Sequence, residues 1–284
     1  DLVHTNSLKA AVYGGIAARL ARVPVVWHIR DRIAPDYLPR QAVAAVKVLA
    51  MFVPRAIVFN SRATRDALRV PVSFSVIPSP VVYDGVATPV LPHSDGPPHP
   101  LRFTMLGRLA PWKGQHVFLR AFAAAFPAGR ERAIVAGSAM FGEDDYAEEL
   151  RRLAVRLGIA ERVEFTGFVT DITALLDRSD VVVHASVVPE PFGQVVVEGM
   201  AAGLPVIATA AGGPLEIITG DVDGLLVPPD DASALARAMS RLAADPHLRH
   251  ALGVAGQVRA SDFTPARVAE ITTELWAAVA HDAR

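Results

Sequence analysis

The sequence predicts an α/β fold built on parallel sheets, and two observations carry that prediction. Short apolar runs alternate with helical patterns through most of the 284 residues. Most of these runs are continuously apolar, which is typical of strands that are covered on both faces of a parallel sheet. Repetition of strand, helix and strand implies right-handed crossovers between parallel neighbours.

The predicted elements form two series along the chain. The first series has strands at residues 2–5, 25–29, 56–60 and 75–78, and the second at 102–106, 133–136, 163–166, 181–184, 206–209 and 224–227. Helices are predicted over 114–126 and 146–157, where apolar residues recur every three or four positions. A last helix is predicted from Thr264-Pro265, because threonine caps helices and proline fits their first turn.

A proline-rich segment separates the two series. Residues 83–100 contain five prolines, which suit neither a helix nor a central strand, so we predict an extended linker there. The predicted parts are therefore a first domain over 1–82, the linker, a second domain over 101–264 and a closing helix over 265–284. The first domain is short and begins on a strand without an initiator methionine, so we expect its N-terminal part to be missing.

Composition excludes several classes of function. Lysine plus arginine (28) nearly equals aspartate plus glutamate (29), which argues against a nucleic-acid binder. The chain has no cysteine, so thiolate metal sites, disulfides and cysteine nucleophiles are excluded. No apolar run reaches the roughly 20 residues of a membrane span. We expect a cytoplasmic protein. The apolar helix predicted at 42–53 is flanked by basic residues, and we interpret it as partly buried; the alternative is that it contacts a membrane surface peripherally.

The segment from Pro189 to Met200 predicts an anion site. It follows the predicted strand at 181–184 and leads into a helix that starts near Gly193. The N–H groups and the positive end of a helix dipole favour a bound anion at such a start. Glu190 and Glu198 flank this start, and ionised carboxylates suit sugar and ribose hydroxyls better than phosphate.

A second strand–loop–helix corner follows the strand at 102–106. It reads Gly107-Arg108 and then Lys113-Gly114, and its two cations suit a diphosphate. Taken singly, these cations and the two glutamates are more simply interpreted as surface charges. Their combination at the carboxyl edge of one predicted sheet, where ligands bind in open α/β folds, favours a binding site.

The whole set of motifs resembles glycosyltransferase family 4, whose members are retaining enzymes of the GT-B type. The matching segments are Gly107-Arg108, Lys113-Gly114, Gly137, Gly167-Phe168-Val169, Glu190-Pro191-Phe192-Gly193, Glu198, residues 202–206 and Gly212-Gly213. The resemblance implies two Rossmann-like domains with parallel sheets facing a cleft, the first on the acceptor side and incomplete. It implies that the second domain binds the donor and that the closing helix crosses back to the first.

The resemblance also implies a role for each site residue. Arg108 and Lys113 would hold the donor diphosphate, Glu198 the ribose and Glu190 the donor-sugar hydroxyls. Main-chain groups of Gly193, Gln194 and Val195 would complete the site for the sugar and phosphate. The main chain of Phe168 and Val169 would contact the base, and Gly137 would allow the nucleotide to approach closely. His28 would lie near the transferred sugar. The implied catalytic residues are thus His28, Arg108, Lys113 and Glu190; the implied donor-binding residues are Gly107, Gly137, Phe168, Val169, Phe192, Gly193, Gln194, Val195 and Glu198.

The implied reaction moves a sugar from a nucleoside-diphosphate sugar to the hydroxyl of a carbohydrate or lipid-linked acceptor, with no cofactor and no metal. Asp221-Val222-Asp223 is interpreted as a turn rather than a metal site, and His4 and His184 as structural. Three alternatives stay open: a sugar-nucleotide-binding fragment without catalysis, a GT-B nucleotide-sugar epimerase, and a glycoside hydrolase using the two glutamates as an acid–base pair.

Overall fold

A computed structural model of the chain describes residues 1–69, 80–87 and 99–282. The described chain forms two compact units. Unit 1 consists of Asp1–Gly85, Glu190–Phe192 and Phe263–Arg284, and unit 2 of Val86–Pro189 and Gly193–Asp262. The strand predicted at 75–78 and most of the proline-rich segment lie outside the described residues.

Among its described residues, unit 1 has three parallel strands in one sheet, with helices on both faces. Its strands are β1 (Val3–Thr5), β2 (Val25–Ile29) and β3 (Ala56–Phe59), in spatial order β1-β2-β3. Its helices are α1 (Leu8–Leu20), α2 (Arg40–Phe52), α3 (Arg62–Leu68) and α11 (Pro265–Asp282). The sheet fixes which side chains share a face, because neighbouring residues of a strand point to opposite sides.

Both faces of the unit 1 sheet are buried, as the continuous apolar strands predict. Val25, Trp27 and Ile29 pack on one face in a core that also includes side chains from α1 and α2. Val26 and Val58 point to the other face, where Leu275 and Val279 of α11 cover them. The apolar stripe of the closing helix is therefore buried against this sheet. Thr264 caps α11 by accepting a hydrogen bond from the Arg267 backbone N–H at 3.2 Å.

Unit 2 is a six-stranded parallel sheet. Its strands are β4 (Arg102–Leu106), β5 (Arg132–Ala136), β6 (Val163–Gly167), β7 (Val181–His184), β8 (Val206–Thr209) and β9 (Leu225–Val227). Their spatial order is β6-β5-β4-β7-β8-β9, and all five pairings are parallel. Alternate residues of β5 enter cores on opposite faces: Ala133 and Val135 on one, Ile134 and Ala136 on the other.

The helices of unit 2 are α4 (Gln115–Ala125), α5 (Asp144–Arg156), α6 (Ile172–Asp177), α7 (Gln194–Ala201), α8 (Pro214–Ile217), α9 (Ala232–Ala244) and α10 (Pro246–Ala260). Aspartates cap three of them, since Asp171, Asp231 and Asp245 each accept from a backbone N–H of the first turn. Such caps satisfy N–H groups that have no partner within the helix. None of the helices among the described residues is both long and apolar enough to cross a membrane.

The predicted α/β fold class with parallel sheets is confirmed. The strands at 25–29, 102–106, 181–184 and 206–209 have the bounds that the sequence predicts, and the remaining described strands differ by one residue at an end. The predicted domain boundaries remain a prediction; the compact units divide after Gly85, within the predicted linker, and after Asp262, and they group Glu190–Phe192 with unit 1.

Candidate functional site

The order of strands in unit 2 places a crevice at the carboxyl ends of β4 and β7. From β4 the chain runs outward through β5 and β6, then returns to β7 beside β4 and continues to β8 and β9. Open parallel sheets bind ligands where the winding reverses in this way. The two corners singled out in the sequence are the loops that follow β4 and β7.

These two loops are in direct contact. The backbone N–H of Val187, after β7, donates to the carbonyl of Trp112, after β4, at 2.9 Å. Trp112 and Lys113 lie in a short 3-10 turn, Pro111–Lys113, that leads into α4. The sheet topology therefore brings Arg108 and Lys113 to the same edge as the start of α7.

Arg108 and Lys113 share an aromatic surface. The Lys113 ammonium lies 4.3 Å from the ring centroid of Trp112, and the Arg108 guanidinium lies 5.8 Å from the same ring. The Arg108 guanidinium also lies 5.1 Å from the ring of Phe141 and 3.4 Å from the Glu143 carboxylate. Stacking and this ion pair hold the guanidinium in place, and Glu143 is an anion that a bound diphosphate would have to displace.

A buried polar network fixes the main chain of the Arg108 loop. The side chain of Gln115, which is buried, donates from Nε2 to the Arg108 carbonyl at 2.8 Å. The Tyr146 hydroxyl in turn donates to Gln115 Oε1 at 3.3 Å. Burial raises the pKa of Tyr146 to about 12, so this hydroxyl remains a donor throughout the physiological range.

Glycine is required where the strands β4, β5 and β6 end. Gly137 follows β5 with φ of 140°, and a Cβ there would lie 2.0 Å from the Gly107 carbonyl oxygen. The Gly137 backbone N–H donates to the Gly167 carbonyl at 2.9 Å. The main-chain segments at the ends of β4, β5 and β6 therefore approach one another closely, with no side chain between them. Phe168, which follows Gly167, is 74% exposed, and Val169 packs against the core beneath.

The start of α7 carries the predicted anion site. Gly193 precedes the helix with φ of 106°, a left-handed conformation that favours glycine. Among the described residues no side chain caps this helix start, so N–H groups of its first turn are available to a ligand. Gln194 is exposed and Val195 half-buried.

Glu198 lies one turn farther along α7 and is half-buried. Burial raises the pKa of its carboxyl above the ordinary value, while a hydrogen bond from the Gln194 side chain opposes that rise. A carboxylate with few water contacts is suited to accept hydrogen bonds from ligand hydroxyls, because those bonds replace lost hydration.

His28 and Glu190 belong to unit 1. His28 lies near the carboxyl end of β2, is 3% exposed, and has no hydrogen-bond partner at Nε2 among the described residues. Burial, then the charges of Arg30 and His4, lower its pKa to about 3. The ring of His4 lies 5.5 Å from that of His28 and accepts a hydrogen bond at Nδ1 from Trp276 Nε1 at 2.7 Å. His28 is therefore a neutral imidazole at physiological pH.

The segment Glu190–Phe192 is anchored within unit 1. The Ser61 hydroxyl donates to the Pro191 carbonyl at 2.5 Å. Phe192 is buried between Tyr83 and Phe263, with ring centroids 6.0 and 5.8 Å away. Its side chain therefore has a packing role, and any contact with a donor falls to its main chain. Glu190 is also buried.

Residues interpreted as structural have structural contacts. Asp223 accepts from the Thr219 backbone N–H at 2.7 Å, and Asp221 pairs with Arg241, so Asp221-Val222-Asp223 forms a turn. His184 is buried beside Thr209, with Nδ1 and Oγ1 3.2 Å apart. Within 1–69, 80–87 and 99–282, no three His, Cys, Asp or Glu side chains are grouped so that they could hold a metal.

This arrangement defines an α/β protein with two cationic side chains and a helix start at one sheet edge, and comparison with known proteins gives the family. Residues 94–259, more than half of the chain, match the family described as glycosyl transferases group 1. The chain belongs to that family.

Solved structures agree with the assignment. The Anabaena protein HepE, solved in complex with UDP-glucose, is 31% identical, has a TM-score of 0.90 and is matched over 98% of this chain and 79% of its own. The C-terminal domain of a glycosyl transferase group 1 protein from Francisella tularensis is 30% identical over 58% of this chain and 87% of its own, with a TM-score of 0.54. These GT-B relatives confirm the fold class.

A curated relative gives the same family from sequence. A GDP-mannose-dependent alpha-(1-6)-phosphatidylinositol monomannoside mannosyltransferase of Mycolicibacterium smegmatis is 35% identical over 168 residues, which are 55% of this chain and 42% of that protein. The chain spans less than half the length of the curated relatives it matches.

The structure brings most of the predicted donor residues together at one edge of the unit 2 sheet: Gly107, Arg108, Lys113, Gly137, Phe168, Val169, Gly193, Gln194, Val195 and Glu198. Their roles remain predictions, as do those of His28 and Glu190. No local pattern in the sequence marks the supporting residues Gln115, Tyr146 and Phe141, because they come from separate parts of the chain and only packing brings them to the Arg108 loop.

Proposed function

We propose that this chain takes part in transferring a sugar from a nucleoside-diphosphate sugar to the hydroxyl of a carbohydrate or lipid-linked acceptor, with retention of anomeric configuration and without a metal. The observation that carries the proposal is the meeting of Arg108, Lys113 and the open start of α7 at the carboxyl edge of one sheet. A diphosphate needs fixed positive charge there, and both side chains and the helix start supply it.

In this proposal, the positive groups of the site determine where the diphosphate of the donor binds. The diphosphate lies against Arg108, Lys113 and the N–H groups of Gly193 to Val195, and Glu198 accepts hydrogen bonds from the ribose hydroxyls. HepE binds UDP-glucose and the M. smegmatis relative uses GDP-mannose, so a nucleoside-diphosphate hexose is the proposed donor class. Glu190 is assigned to the sugar hydroxyls and His28 to the surroundings of the transferred sugar, both from family resemblance.

In the proposed reaction the acceptor oxygen forms a bond to the anomeric carbon on the face from which the diphosphate departs. The bond between that carbon and the phosphate oxygen breaks, and this oxygen takes the acceptor proton. Negative charge builds on the diphosphate as the bond breaks. Arg108, Lys113 and the α7 N-terminus stabilise that charge; a single group in such a role contributes about 2.7–4 kcal/mol.

Nucleotide binding tests the site. UDP and UDP-glucose, with GDP and GDP-mannose as parallel arms, are titrated into the whole chain and its variants by calorimetry. We expect Arg108→Ala and Glu198→Gln each to weaken binding at least about tenfold, since a charged hydrogen bond contributes about 1.5–3 kcal/mol. The exposed Arg120→Ala and Glu148→Gln are the matched controls and should change the dissociation constant less than about twofold. If the site variants bind like the parent, the site is misplaced.

Turnover tests the reaction. Release of nucleoside diphosphate from the bound donor is followed with a panel of free and lipid-linked hydroxyl acceptors, and proton NMR gives the anomeric configuration of the product. We expect an α product from an α donor and the same rate in EDTA. An inverted product contradicts retention, and activity that EDTA abolishes and Mn²⁺ restores contradicts metal independence. Tight nucleotide binding with no transfer to any acceptor would favour a binding fragment instead.

A further inference from the structure

The first 69 residues carry far more positive charge than the rest of the chain. They contain eleven lysines and arginines against four aspartates, whereas the whole chain is nearly balanced. Three of these arginines line one cavity of unit 1, of about 270 Å³. The other lining residues are Val23, Pro24, Val25 and Val53.

The topology of unit 1 explains why these arginines meet. Arg19 and Arg22 lie where α1 ends and the chain enters β2, and Arg55 lies where the chain passes from α2 into β3. Because β2 and β3 are parallel neighbours, both connections lie at the amino edge of the sheet. The Arg55 backbone N–H donates to the Val25 carbonyl at 2.8 Å, which places the two connections side by side.

The amino edge is the end of the sheet opposite to the one that carries His28. Val25 is the first residue of β2 and His28 the fourth, and strands rise about 3.3 Å per residue, so they are roughly 10 Å apart. None of the residues that line this cavity is assigned a role in sugar transfer.

Two of the three arginine charges in this cavity have no acidic partner among the described residues. Neither Arg19 nor Arg22 forms an ion pair with an acidic side chain among the described residues, and both are exposed. A basic residue in the last turn of a helix is favoured by the helix dipole, which accounts for Arg19. That effect does not account for Arg22, which lies beyond the helix with φ of 59°.

We propose that this cavity binds the phosphate group of an anionic ligand. Guanidinium groups are the preferred partners of phosphate because their planar donors match its oxygens. The volume lies just below the range of about 300–1,000 Å³ that is usual for ligand pockets, and it suits a phosphate with a small substituent. The group can come from a phospholipid headgroup or from a free phosphate ester. Leu20 and Phe52, adjacent to lining residues, are 81% and 61% exposed and give the cavity an apolar border.

The test uses the whole chain with two probes at constant ionic strength. One probe is vesicles of 30% phosphatidylglycerol in phosphatidylcholine, with pure phosphatidylcholine as reference, measured by co-sedimentation. The other is inorganic phosphate, measured by calorimetry. The variant is Arg19→Gln with Arg22→Gln. The matched control is Lys9→Gln with Arg40→Gln, which removes two exposed charges from the starts of α1 and α2, the helices whose other ends lead to the cavity.

We expect at least one probe to bind the parent and the arginine variant to lose about tenfold in affinity, while the control loses less than about twofold. Vesicle binding that phosphate does not compete away identifies a headgroup, and phosphate binding without vesicle binding identifies a free ester. Phosphate calorimetry is repeated with the donor site saturated by UDP, and the binding that remains should still be lost in the arginine variant, which separates this pocket from the donor site. Equal losses in the two double variants, or no binding of either probe, would overturn the proposal.

Discussion

The chemistry at the residue scale depends on what surrounds each charge. Arg108, the proposed diphosphate partner, is held in place because Trp112 and Phe141 stack on its guanidinium and because Gln115 bonds to its main-chain carbonyl. His28 is the opposite case, since burial keeps it neutral and leaves Nε2 without a partner among the described residues. A neutral imidazole can donate or accept a hydrogen bond to a sugar hydroxyl, but it supplies no positive charge to a leaving group.

The neutrality of His28 predicts a pH dependence of stability. Its pKa is about 3 in the folded chain against 6.5 for the free group, so the unfolded chain takes up the proton first as the pH falls. Stability is therefore unaffected above about pH 6.5 and is lost below it, by up to about 1.4 kcal/mol per pH unit, until about pH 3. We expect His28→Asn to flatten this slope in urea unfolding followed between pH 7 and 5.

The exposed His247→Asn is the control for that measurement and should keep the slope of the parent. If His28→Asn and the parent have parallel pH profiles, then His28 is protonated in the folded chain and its assignment as a neutral group is wrong.

At the scale of elements, the sequence predicts what depends on local pattern and misses what depends on contacts between elements. The strands of both sheets are found because burial on both faces leaves uninterrupted apolar runs such as Val181–His184. The start of α7 is found because Gly193 follows a strand and precedes a helical pattern. The Gln115–Tyr146 network could not be found, since its members lie 31 positions apart on separate helices and only packing brings them together.

The closing helix α11 offers an element-scale prediction. Leu275 is buried against Val26 and Val58 of the unit 1 sheet. We expect Leu275→Ala to lower the free energy of unfolding by about 2–4 kcal/mol, because it removes buried methyl groups and leaves a cavity. Thr273→Ala, an exposed substitution on the same helix, should change it by less than about 0.5 kcal/mol. Equal values from the two variants in urea unfolding would mean that α11 does not cover the sheet in solution.

At the scale of the whole molecule, the two units differ in how much of the proposed donor site they contain and in how continuous their chain is. The strands of the unit 2 sheet and the corner proposed to bind the diphosphate lie within residues 99–262. The corresponding domain of the Francisella relative was crystallised alone. Unit 1, in contrast, is assembled from three separate stretches of the chain.

This difference predicts the behaviour of a fragment. We expect residues 99–262 to fold cooperatively and to bind UDP within about fivefold of the whole chain, because the Arg108 corner and α7 are both retained. Thermal unfolding with and without UDP measures this; ligand at one hundred times its dissociation constant adds about 2.7 kcal/mol. Arg108→Ala in the fragment is the control and should remove the shift. A folded fragment without a UDP response would place the nucleotide determinants in unit 1.

The hydrogen bond from Trp276 to His4 joins residues that are 272 positions apart. Ordering so long a loop carries an entropic cost, and contacts between distant parts of a chain slow folding. One face of the unit 1 sheet therefore stays uncovered until α11 has been translated, long after β1, β2 and β3. A nascent chain that stalls before α11 is made leaves Val26 and Val58 exposed to other apolar surfaces in the cell.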